Sequence, residues 1–192
     1  MNNPILYFNE LYQEELKHTS VKIPSACCFT TIGVDGFPNS RFVSCKEVVN
    51  DHFIITGSKT ARKGIEVEQN SKVALAFWWT STNVQVRVQG LINELDSDSS
   101  NKYFQERNRE SQIVSIVSNQ DEVLDDIANL EQAYKVVEEE YREQVLSTPT
   151  SFGAWEIIPF RIEFLIFSDS RFHNRILYEK EGDALKHTLL KP

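Results

Sequence analysis

Residues 72–95 read KVALAFWWTSTNVQVRVQGLINEL, and this stretch decides the fold. From Val84 onwards, valines alternate with polar side chains, so a strand there would place Gln85 and Arg87 on one face and the valines on the other. Residues 72–79 are apolar and predict a second strand, with its two adjacent tryptophans in the core or at a subunit interface. The stretch therefore predicts two neighbouring antiparallel strands.

The rest of the chain alternates between strand-like and helix-like patterns. Runs rich in Val, Ile, Phe and Thr, separated by turn sequences such as Gly33-Val34-Asp35-Gly36, predict strands on both sides of the central pair. Apolar residues three and four apart predict helices. The predicted strands are 26–32, 40–49, 52–56, 72–79, 83–95, 161–167, 173–179 and 185–190, and the predicted helices are 4–17, 60–69, 99–110 and 121–146, the last with Asp121 as its N-cap.

Most of these strands follow one another directly, with helices at the interruptions. Strands joined in this way form antiparallel hairpins, and a sheet built from them closes into a barrel with helices packed outside. The chain has 192 residues, and its sequence contains no internal repeat, low-complexity tract or linker. We therefore expect residues 1–192 to form a single α+β domain that is mainly β, an antiparallel barrel with flanking helices.

Composition excludes several classes of protein. The net charge of −8 disfavours a general nucleic-acid binder, although a few clustered cations can still bind a phosphate group. Cys27, Cys28 and Cys45 form no C-x-x-C pair, so neither a metal site nor a disulfide framework is expected. No apolar run approaches a membrane span, and the first residues are too polar for an export signal. We therefore expect a cytoplasmic protein that does not enter membranes.

Two clusters of cationic residues near the first strands are candidates for anion binding. Arg41 and Lys46 lie five apart, so a regular strand would direct them to opposite sides, either toward two different anions or simply into solvent. Arg62 and Lys63 begin a predicted helix whose N-terminal N–H groups attract phosphate, and a solvated basic turn explains them equally well.

Two further clusters combine different hydrogen-bond donors. Tyr103, Arg107 and Ser111 recur every four residues, so on one helix they would share a face that suits a phosphate, although a polar helix surface has the same pattern. The segment R-F-H-N-R from Arg171 would direct three cationic or potentially cationic side chains to one strand face. Because such a trio repels itself unless an anion lies among its members, this last cluster favours a functional site.

The order and spacing of these clusters resemble those of the pyridoxamine 5'-phosphate oxidase family. Six motifs carry the resemblance, which extends from about residue 24 to residue 192. They are R-x-V-x-x-K from Arg41, A-R-K-G from Ala61, Q-V-x-V-x-G from Gln85, Y-F-x-x-R-x-R-x-S-Q-I from Tyr103, I-E-F from Ile162 and R-x-H-x-R-x-x-Y from Arg171. One such motif is weak evidence, whereas six in order are strong evidence.

The resemblance implies an FMN-binding split β-barrel that works as a homodimer, with FMN in a groove between the subunits. It implies catalytic roles for Arg171 and His173, which would flank the substrate ring near the flavin. The implied FMN contacts are Arg41, Lys46, Thr56, Arg62, Lys63, Gln85, Gln120 and Arg175. The implied substrate contacts are Lys46, Tyr103, Arg107, Ser111, Arg171 and His173, of which the first four would surround the substrate phosphate.

The activity implied by the resemblance is oxidation of pyridoxamine or pyridoxine 5'-phosphate to pyridoxal 5'-phosphate, with O2 reoxidising the flavin. One alternative is a related FMN oxidase that acts on another substrate, as in phenazine pathways. Another is a non-catalytic protein that binds FMN or pyridoxal phosphate. This alternative is favoured by Leu165 in place of the family's Trp and by a start close to the first helix, without the family's substrate-covering segment. The sequence also differs from the family pattern at Val84 and Asp121.

Overall fold

The computed structural model of the protein describes residues 3–182 and 184–192. This part of the chain forms strands and helices in alternating groups. The strands are β1 (Ala26–Ile32), β2 (Pro38–Val49), β3 (His52–Ser58), β4 (Lys72–Trp79), β5 (Val84–Glu94), β6 (Phe152–Ile166), β7 (Asn174–Glu181) and β8 (Ala184–Leu190). The helices are α1 (Pro4–His18), α2 (Arg62–Gln69), α3 (Ser97–Gln105), α4 (Arg109–Val117) and α5 (Ile127–Glu140).

The strands form one antiparallel sheet that closes into a barrel. Their order is β3-β2-β1-β4-β5-β6, and β3 also pairs with β6, which completes the barrel. β7 and β8 continue the sheet beyond β6 as an extension. The predicted fold class, a mainly β antiparallel barrel with flanking helices, is confirmed, and β4 and β5 form the predicted neighbouring pair.

The alternating sequence of β5 directs one of its faces into the barrel. Val84, Val86 and Val88 are buried in the core, whereas Arg87 and Gln89 between and beside them are exposed. Because successive side chains of a strand point to opposite faces, this sequence pattern is sufficient to define which face of the sheet is apolar. The barrel interior is therefore the hydrophobic core of the protein.

An aromatic cluster attaches α1 to the barrel. The ring centroid of Phe8 lies 5.0 Å from that of Phe53, 5.1 Å from Phe77 and 5.2 Å from Trp79. Tilted and edge-on pairs at such distances add about 0.5–1.5 kcal/mol each beyond the burial of their area. Trp79 is therefore a core residue, while Trp78 is half exposed on the other face of β4.

β2 contains a bulge at Lys46. The pairing of β2 with β3 shifts between Cys45 and Glu47, so Lys46 is an extra residue that has no opposite partner. The expectation that Arg41 and Lys46 point to opposite sides assumed a regular strand, and this condition is not met. The bulge re-aims the lysine relative to the rest of the strand.

The helix predicted at 99–110 is interrupted. The chain forms α3 and α4 instead, because Asn108 has an extended backbone and its side chain accepts a hydrogen bond from Ser111 N at 2.9 Å. Tyr103 therefore lies on α3, Ser111 on α4 and Arg107 in the connection between them. The prediction that these three residues share one face of one helix is wrong.

The helix predicted at 121–146 is shorter than expected. α5 begins after Asp126, whose side chain accepts a hydrogen bond from Ala128 N at 2.9 Å, so Asp126 and not Asp121 is the N-cap. Asp121 has a φ of 77°, which is incompatible with a right-handed helix at that position. Within residues 3–182 and 184–192, no helix is long and apolar enough to span a membrane.

The C-terminal strands differ from the prediction at both of their junctions. β6 begins at Phe152 rather than at 161, because its first half pairs with β3 and β5. β7 begins at Asn174, so Arg171 and His173 precede the strand in a turn where Arg171 has a φ of 66°. The prediction that Arg171, His173 and Arg175 share one strand face is therefore wrong, since only Arg175 lies on β7.

Candidate active site

Arg41 and Arg62, two of the predicted FMN contacts, meet at one carboxylate. Arg41 Nη2 lies 2.9 Å from Glu66 Oε2, and Arg62 Nε lies 2.8 Å from Glu66 Oε1. Arg62 Nη2 also lies 3.1 Å from Asp35 Oδ2. Glu66 was missed in the sequence, although its position four residues after Arg62 on α2 is a known signal of a helical ion pair.

The Glu66 carboxylate is almost completely buried and accepts hydrogen bonds from several donors. Thr31 Oγ1 donates at 2.5 Å and Asn39 Nδ2 donates at 2.6 Å, in addition to the two arginines. Burial by itself raises the pKa of Glu66, but the hydrogen bonds from Thr31, Arg62 and Arg41 outweigh it and hold the pKa below its usual value. The carboxylate is therefore ionised at neutral pH and orients both guanidinium groups.

Lys63, Gln120 and Gly57 come together from three parts of the chain. Lys63 Nζ donates a hydrogen bond to Gln120 Oε1 at 2.8 Å. A Cβ atom at Gly57 would lie 2.6 Å from Lys63 Cε, so the glycine provides the space that the lysine occupies. Burial lowers the pKa of Lys63, which means that its charged form lacks full solvation. Two predicted FMN contacts, Lys63 and Gln120, are thus in direct contact.

Asp121 also reaches this region. Its Oδ2 accepts a hydrogen bond from the backbone N–H of Arg62 at 2.7 Å, at the first residue of α2. The same carboxylate raises the pKa of Lys63 and so acts against the effect of burial. Residues 120 and 121 therefore contact the start of α2 together, a link that the sequence did not reveal.

Three buried side-chain polar atoms have no hydrogen-bond partner in the described part of the chain. One is Trp79 Nε1 in the core, and the other two are Thr56 Oγ1 on β3 and Arg107 Nε in the connection between α3 and α4. An unsatisfied buried polar atom costs about 1–3 kcal/mol, so native proteins rarely keep one unless a ligand or water completes its bonding. Thr56 and Arg107 were both predicted as ligand contacts, and their free donors fit a phosphate-bearing group.

Arg107 borders a cavity of about 170 Å³ between β3, the start of β6 and α4. Its guanidinium carbon lies 5.3 Å from the centroid of the Phe152 ring, a cation–π distance, and its Nη2 lies 3.5 Å from Ser111 O. Gly57 and Gln120 line the same cavity. Predicted cofactor contacts and predicted substrate contacts therefore meet around one space.

Lys46 is electrostatically coupled to Arg107. Desolvation of its amine and, next in size, the positive charge of Arg107 lower the pKa of Lys46, while Glu106 opposes them to a smaller extent. Burial alone lowers the pKa of Arg107. No carboxylate of residues 3–182 and 184–192 lies within ion-pair distance of either cation. Two cations that form no ion pair in the described chain, with only a partial offset from Glu106, favour the binding of an anion.

Tyr103, a predicted phosphate contact, forms a hydrogen bond within the protein. Its hydroxyl donates to Glu47 Oε1 at 2.6 Å, and Lys102 Nζ lies 3.2 Å from the same carboxylate oxygen. Burial and the hydrogen bond to Glu47 raise the pKa of Tyr103. The phenol therefore stays protonated, and its one donor is already used.

Arg175 and Gln85 lie on a different part of the sheet. Arg175 on β7 holds Glu163 of β6 through Nε at 3.0 Å and Nη2 at 2.7 Å. Leu165 lies between Gln85 and Arg175 in the register of β5, β6 and β7. No hydrogen bond or ion pair in the described chain joins this group to Lys63 or to the cavity beside Arg107. One chain therefore presents its predicted FMN contacts as two separate groups.

Arg171 and His173 lie in the turn between β6 and β7. His173 Nδ1 accepts a hydrogen bond from Ser168 N at 3.2 Å, and its ring centroid lies 4.8 Å from that of Phe167. The side chain of Arg171 is exposed, and within the residues described it forms no hydrogen bond or ion pair. The two predicted catalytic residues are thus neighbours in one turn. The His173 ring contacts Ser168 and Phe167, whereas the Arg171 side chain has no hydrogen bond or ion pair within the described residues.

Comparison with known proteins identifies the family. Residues 13–145 match the family described as Pyridoxamine 5'-phosphate oxidase, and residues 152–192 match the Pyridoxine 5'-phosphate oxidase C-terminal dimerisation region. A pyridoxine/pyridoxamine 5'-phosphate oxidase of Legionella pneumophila is 34% identical over 191 residues, which cover 100% of this chain and 88% of the relative. One of Leptospira biflexa is 30% identical over 190 residues, with 99% and 89% covered.

Solved structures agree with this family. The fold is similar to that of PhzG from Burkholderia lata 383 in complex with tetrahydrophenazine-1-carboxylic acid, with a TM-score of 0.92, 25% identity, and 100% of this chain and 94% of that chain covered. A pyridoxamine 5'-phosphate oxidase-related, FMN binding protein from Nostoc punctiforme has a TM-score of 0.80 at 12% identity, with 96% and 97% covered, and supports the fold alone. The chain belongs to the pyridoxamine 5'-phosphate oxidase family and is an oxidoreductase with FMN as its cofactor.

Proposed function

We propose that the protein oxidises pyridoxamine 5'-phosphate and pyridoxine 5'-phosphate to pyridoxal 5'-phosphate, with O2 as the final electron acceptor. In this proposal it works as a homodimer in the cytoplasm. The relatives of Legionella pneumophila and Leptospira biflexa, both named for oxidation of these two substrates, support the reaction class. The choice of a phosphorylated substrate rests on the site itself.

The observation that carries the proposal is the pair Lys46 and Arg107, two cations that form no ion pair within the described chain. The positive charge of Arg107 contributes to the lowered pKa of Lys46, and Arg107 Nε is buried without a partner. A phosphate between the two side chains removes their repulsion, and its oxygens accept the parallel N–H bonds that a guanidinium offers. Ser111, in the first turn of α4, supplies a further hydroxyl close to Arg107, whose Nη2 lies 3.5 Å from Ser111 O.

The residues around Glu66 and Gln120 would hold FMN. Arg41, Arg62 and Lys63 supply positive charge for its phosphate, and Thr56 supplies a buried hydroxyl that has no partner within the described chain. When bound, FMN supplies the hydride acceptor that no side chain can provide. The chain itself would bind and orient the two phosphates.

The C-terminal residues would complete the site across a dimer. Arg171, His173 and Arg175 lie in residues 152–192, which match the family's dimerisation region. In one chain they make no hydrogen bond or ion pair, among the residues described, to the cavity beside Arg107. We therefore assign them to the active site of the partner subunit, where Arg171 orients the reacting carbon of the substrate and His173 contacts its ring.

Similarity to PhzG favours a second candidate, the oxidation of a reduced phenazine carboxylate. A carboxylate carries one negative charge and would neutralise only one of the two cations, Lys46 and Arg107, whereas a phosphate carries up to two. The phosphorylated substrate is therefore our first choice. A third candidate is a protein that binds FMN or pyridoxal phosphate without turnover, and the exposed, uncommitted Arg171 argues against it.

An oxidase assay separates these candidates. Purified protein loaded with FMN is given pyridoxamine 5'-phosphate, pyridoxine 5'-phosphate, the two dephosphorylated compounds and tetrahydrophenazine-1-carboxylic acid, and peroxide release is measured. We expect turnover of the two phosphorylated compounds and a kcat/KM at least a hundredfold lower without the phosphate, since a charge-assisted contact contributes roughly 1.5–3 kcal/mol and two cations are involved. Turnover of the phenazine compound alone would select the second candidate, and no turnover at all would select the third.

A further inference from the structure

The N-terminus of α2 is capped from a distant loop. Ala61, the residue in the N-cap position, has no side-chain group that could bond to the helix. Asp121 fills this role, because its Oδ2 accepts the N–H of Arg62 at 2.7 Å. The N–H groups of a helix start carry partial positive charge and bind anions. A carboxylate of the chain itself therefore lies at the position that a phosphate would occupy on this helix.

Independent contacts place the same carboxylate beside the cations of the cofactor site. Gln120, the preceding residue, accepts a hydrogen bond from Lys63 at 2.8 Å, and the charge of Asp121 acts on the pKa of Lys63. Gln120 also lines the cavity beside Arg107, whose buried Nε has no hydrogen-bond partner among the described residues. The residue next to Asp121 and this unsatisfied donor thus lie around one space.

The charges of this site are already balanced without a ligand. Arg41, Arg62 and Lys63 face the carboxylates of Glu66, Asp35 and Asp121. Glu66 is buried and held by four side chains, so it cannot leave. Asp121 is exposed, has a φ of 77°, and lies outside any helix or strand. Asp35 is exposed as well, but it bonds to the end of the Arg62 side chain and to Phe37 N, not to the start of α2. Asp121 is therefore the exposed carboxylate of this set that lies at the N-terminus of α2.

We propose that Asp121 competes with the phosphate of FMN and thereby sets the affinity of the protein for its cofactor. The inference rests on the proposed FMN site at Arg41, Arg62 and Lys63. A phosphate that binds there must displace the Asp121 carboxylate or tolerate its charge, and either effect weakens the complex. Riboflavin, which has the same ring and no phosphate, escapes this competition. Asp121 is therefore a residue that determines selectivity between the two forms of the flavin.

The test compares dissociation constants for FMN and riboflavin, measured by quenching of flavin fluorescence on the full-length protein after removal of bound flavin. Asp121→Asn removes the charge and keeps an oxygen that can accept the Arg62 N–H, so α2 stays capped. Glu122→Gln is the matched control, because it removes the same charge from the next residue, whose side chain forms no hydrogen bond or ion pair within the described chain. Asp121→Ser is a second variant should Asp121→Asn fail to fold.

We expect Asp121→Asn to bind FMN about tenfold more tightly than the wild type, a change of about 1.4 kcal/mol, and to bind riboflavin as the wild type does. Glu122→Gln should change neither constant by more than about twofold, because an exposed charge contributes little. Unchanged or weaker FMN binding by Asp121→Asn, or an equal change for both flavins, overturns the inference. Failure of the proposed function has a different signature: the FMN constants shift as expected while no phosphorylated substrate releases peroxide.

Discussion

The guanidinium of Arg41 lies 2.9 Å from the carboxylate of Glu66, which brings a residue of β2 against the buried face of α2. Removing a carboxylate from water is costly unless hydrogen bonds and opposite charges replace its hydration. Here Thr31, Asn39 and Arg62 supply the remaining donors. Glu66 thus allows an acidic chain to keep two arginines fixed at one place and ready for a phosphate.

Glu66→Gln should destabilise the fold in a pH-dependent way. Breaking a buried ion pair costs about 3–5 kcal/mol, and we expect the lower end because both arginines partly reach solvent. The folded-state pKa of Glu66 is depressed, so its ionised form contributes stability that is complete above the ordinary value of 4.5 and is lost as pH falls below it. Urea unfolding of both proteins, repeated at pH values about one unit apart between about pH 3 and pH 7, measures the difference in unfolding free energy.

The wild-type protein is the control for this experiment, because its other carboxylates titrate in the same way as those of the variant. Other carboxylates with depressed pKa values, such as Glu15 and Glu47, titrate in both proteins, so only the difference between them reports on Glu66. The gap in unfolding free energy should be widest near neutral pH and close in acid. A gap that stays constant across the range would mean that Glu66 acts through packing and not through its charge.

The sequence predicts the barrel well because strand alternation is a local property. The valines of β5 and the aromatic residues of β4 define an apolar face without knowledge of any partner strand. The helices were predicted less well, since a helix end is decided by one cap. Asn108 caps α4 and so divides the helix predicted at 99–110, and Asp126 caps α5, which therefore begins later than predicted. Nothing in the periodicity of the sequence distinguishes these two caps from other polar residues.

The site could be predicted residue by residue but not as an arrangement. The motif around Arg107 contained one residue that borders the cavity, Arg107 itself, and the single helix face predicted for Tyr103, Arg107 and Ser111 was wrong. The contacts of Glu66 with Arg41 and of Asp121 with Arg62 N join residues far apart in the chain, so no pattern within one segment could reveal them. The roles of the predicted site residues remain predictions that the following measurements test.

Gly57→Ala should weaken FMN binding without unfolding the protein. The added methyl carbon would lie 2.6 Å from Lys63 Cε, so the lysine has to move away from Gln120. The clash is with the flexible end of a side chain, so the loss of stability should stay below about 1 kcal/mol. We expect a three- to tenfold rise in the FMN dissociation constant, or about 0.7–1.4 kcal/mol. In a background of Lys63→Ala the same change should have no further effect on FMN binding, and a remaining effect would contradict the role of Lys63.

Arg107→Ala should reduce kcat/KM for the phosphorylated substrate by about ten- to a hundredfold, since a charge-assisted contact contributes roughly 1.5–3 kcal/mol. FMN binding should change by less than about threefold, because the cation set around Glu66 stays intact. Arg107→Lys keeps the charge but loses the planar fork and the packing on Phe152, and it should lie between the wild type and the alanine variant. Loss of FMN with an unchanged KM would place Arg107 in the cofactor site instead.

Arg171→Gly should separate stability from turnover. Arg171 has a φ of 66°, a conformation that costs a non-glycine residue about 1–2 kcal/mol and costs glycine nothing. Glycine loses roughly 0.5–1 kcal/mol more backbone entropy on folding, so the net effect should be between zero and about 1.5 kcal/mol of added stability. Among the described residues Arg171 has no carboxylate partner, and Glu163 is already held by Arg175, so no ion pair is lost with the side chain.

If Arg171 nevertheless orients the substrate, kcat and kcat/KM should fall together by about ten- to a hundredfold, as expected for a contact that strengthens in the transition state. Arg171→Ala is the matched variant, because it loses the same side chain and keeps the strained backbone. Thermal unfolding and steady-state kinetics of the two proteins, with their FMN absorbance, give the answer. Normal turnover in both variants would show that the Arg171 side chain does not orient the substrate, and that the positive φ of this residue is unrelated to catalysis.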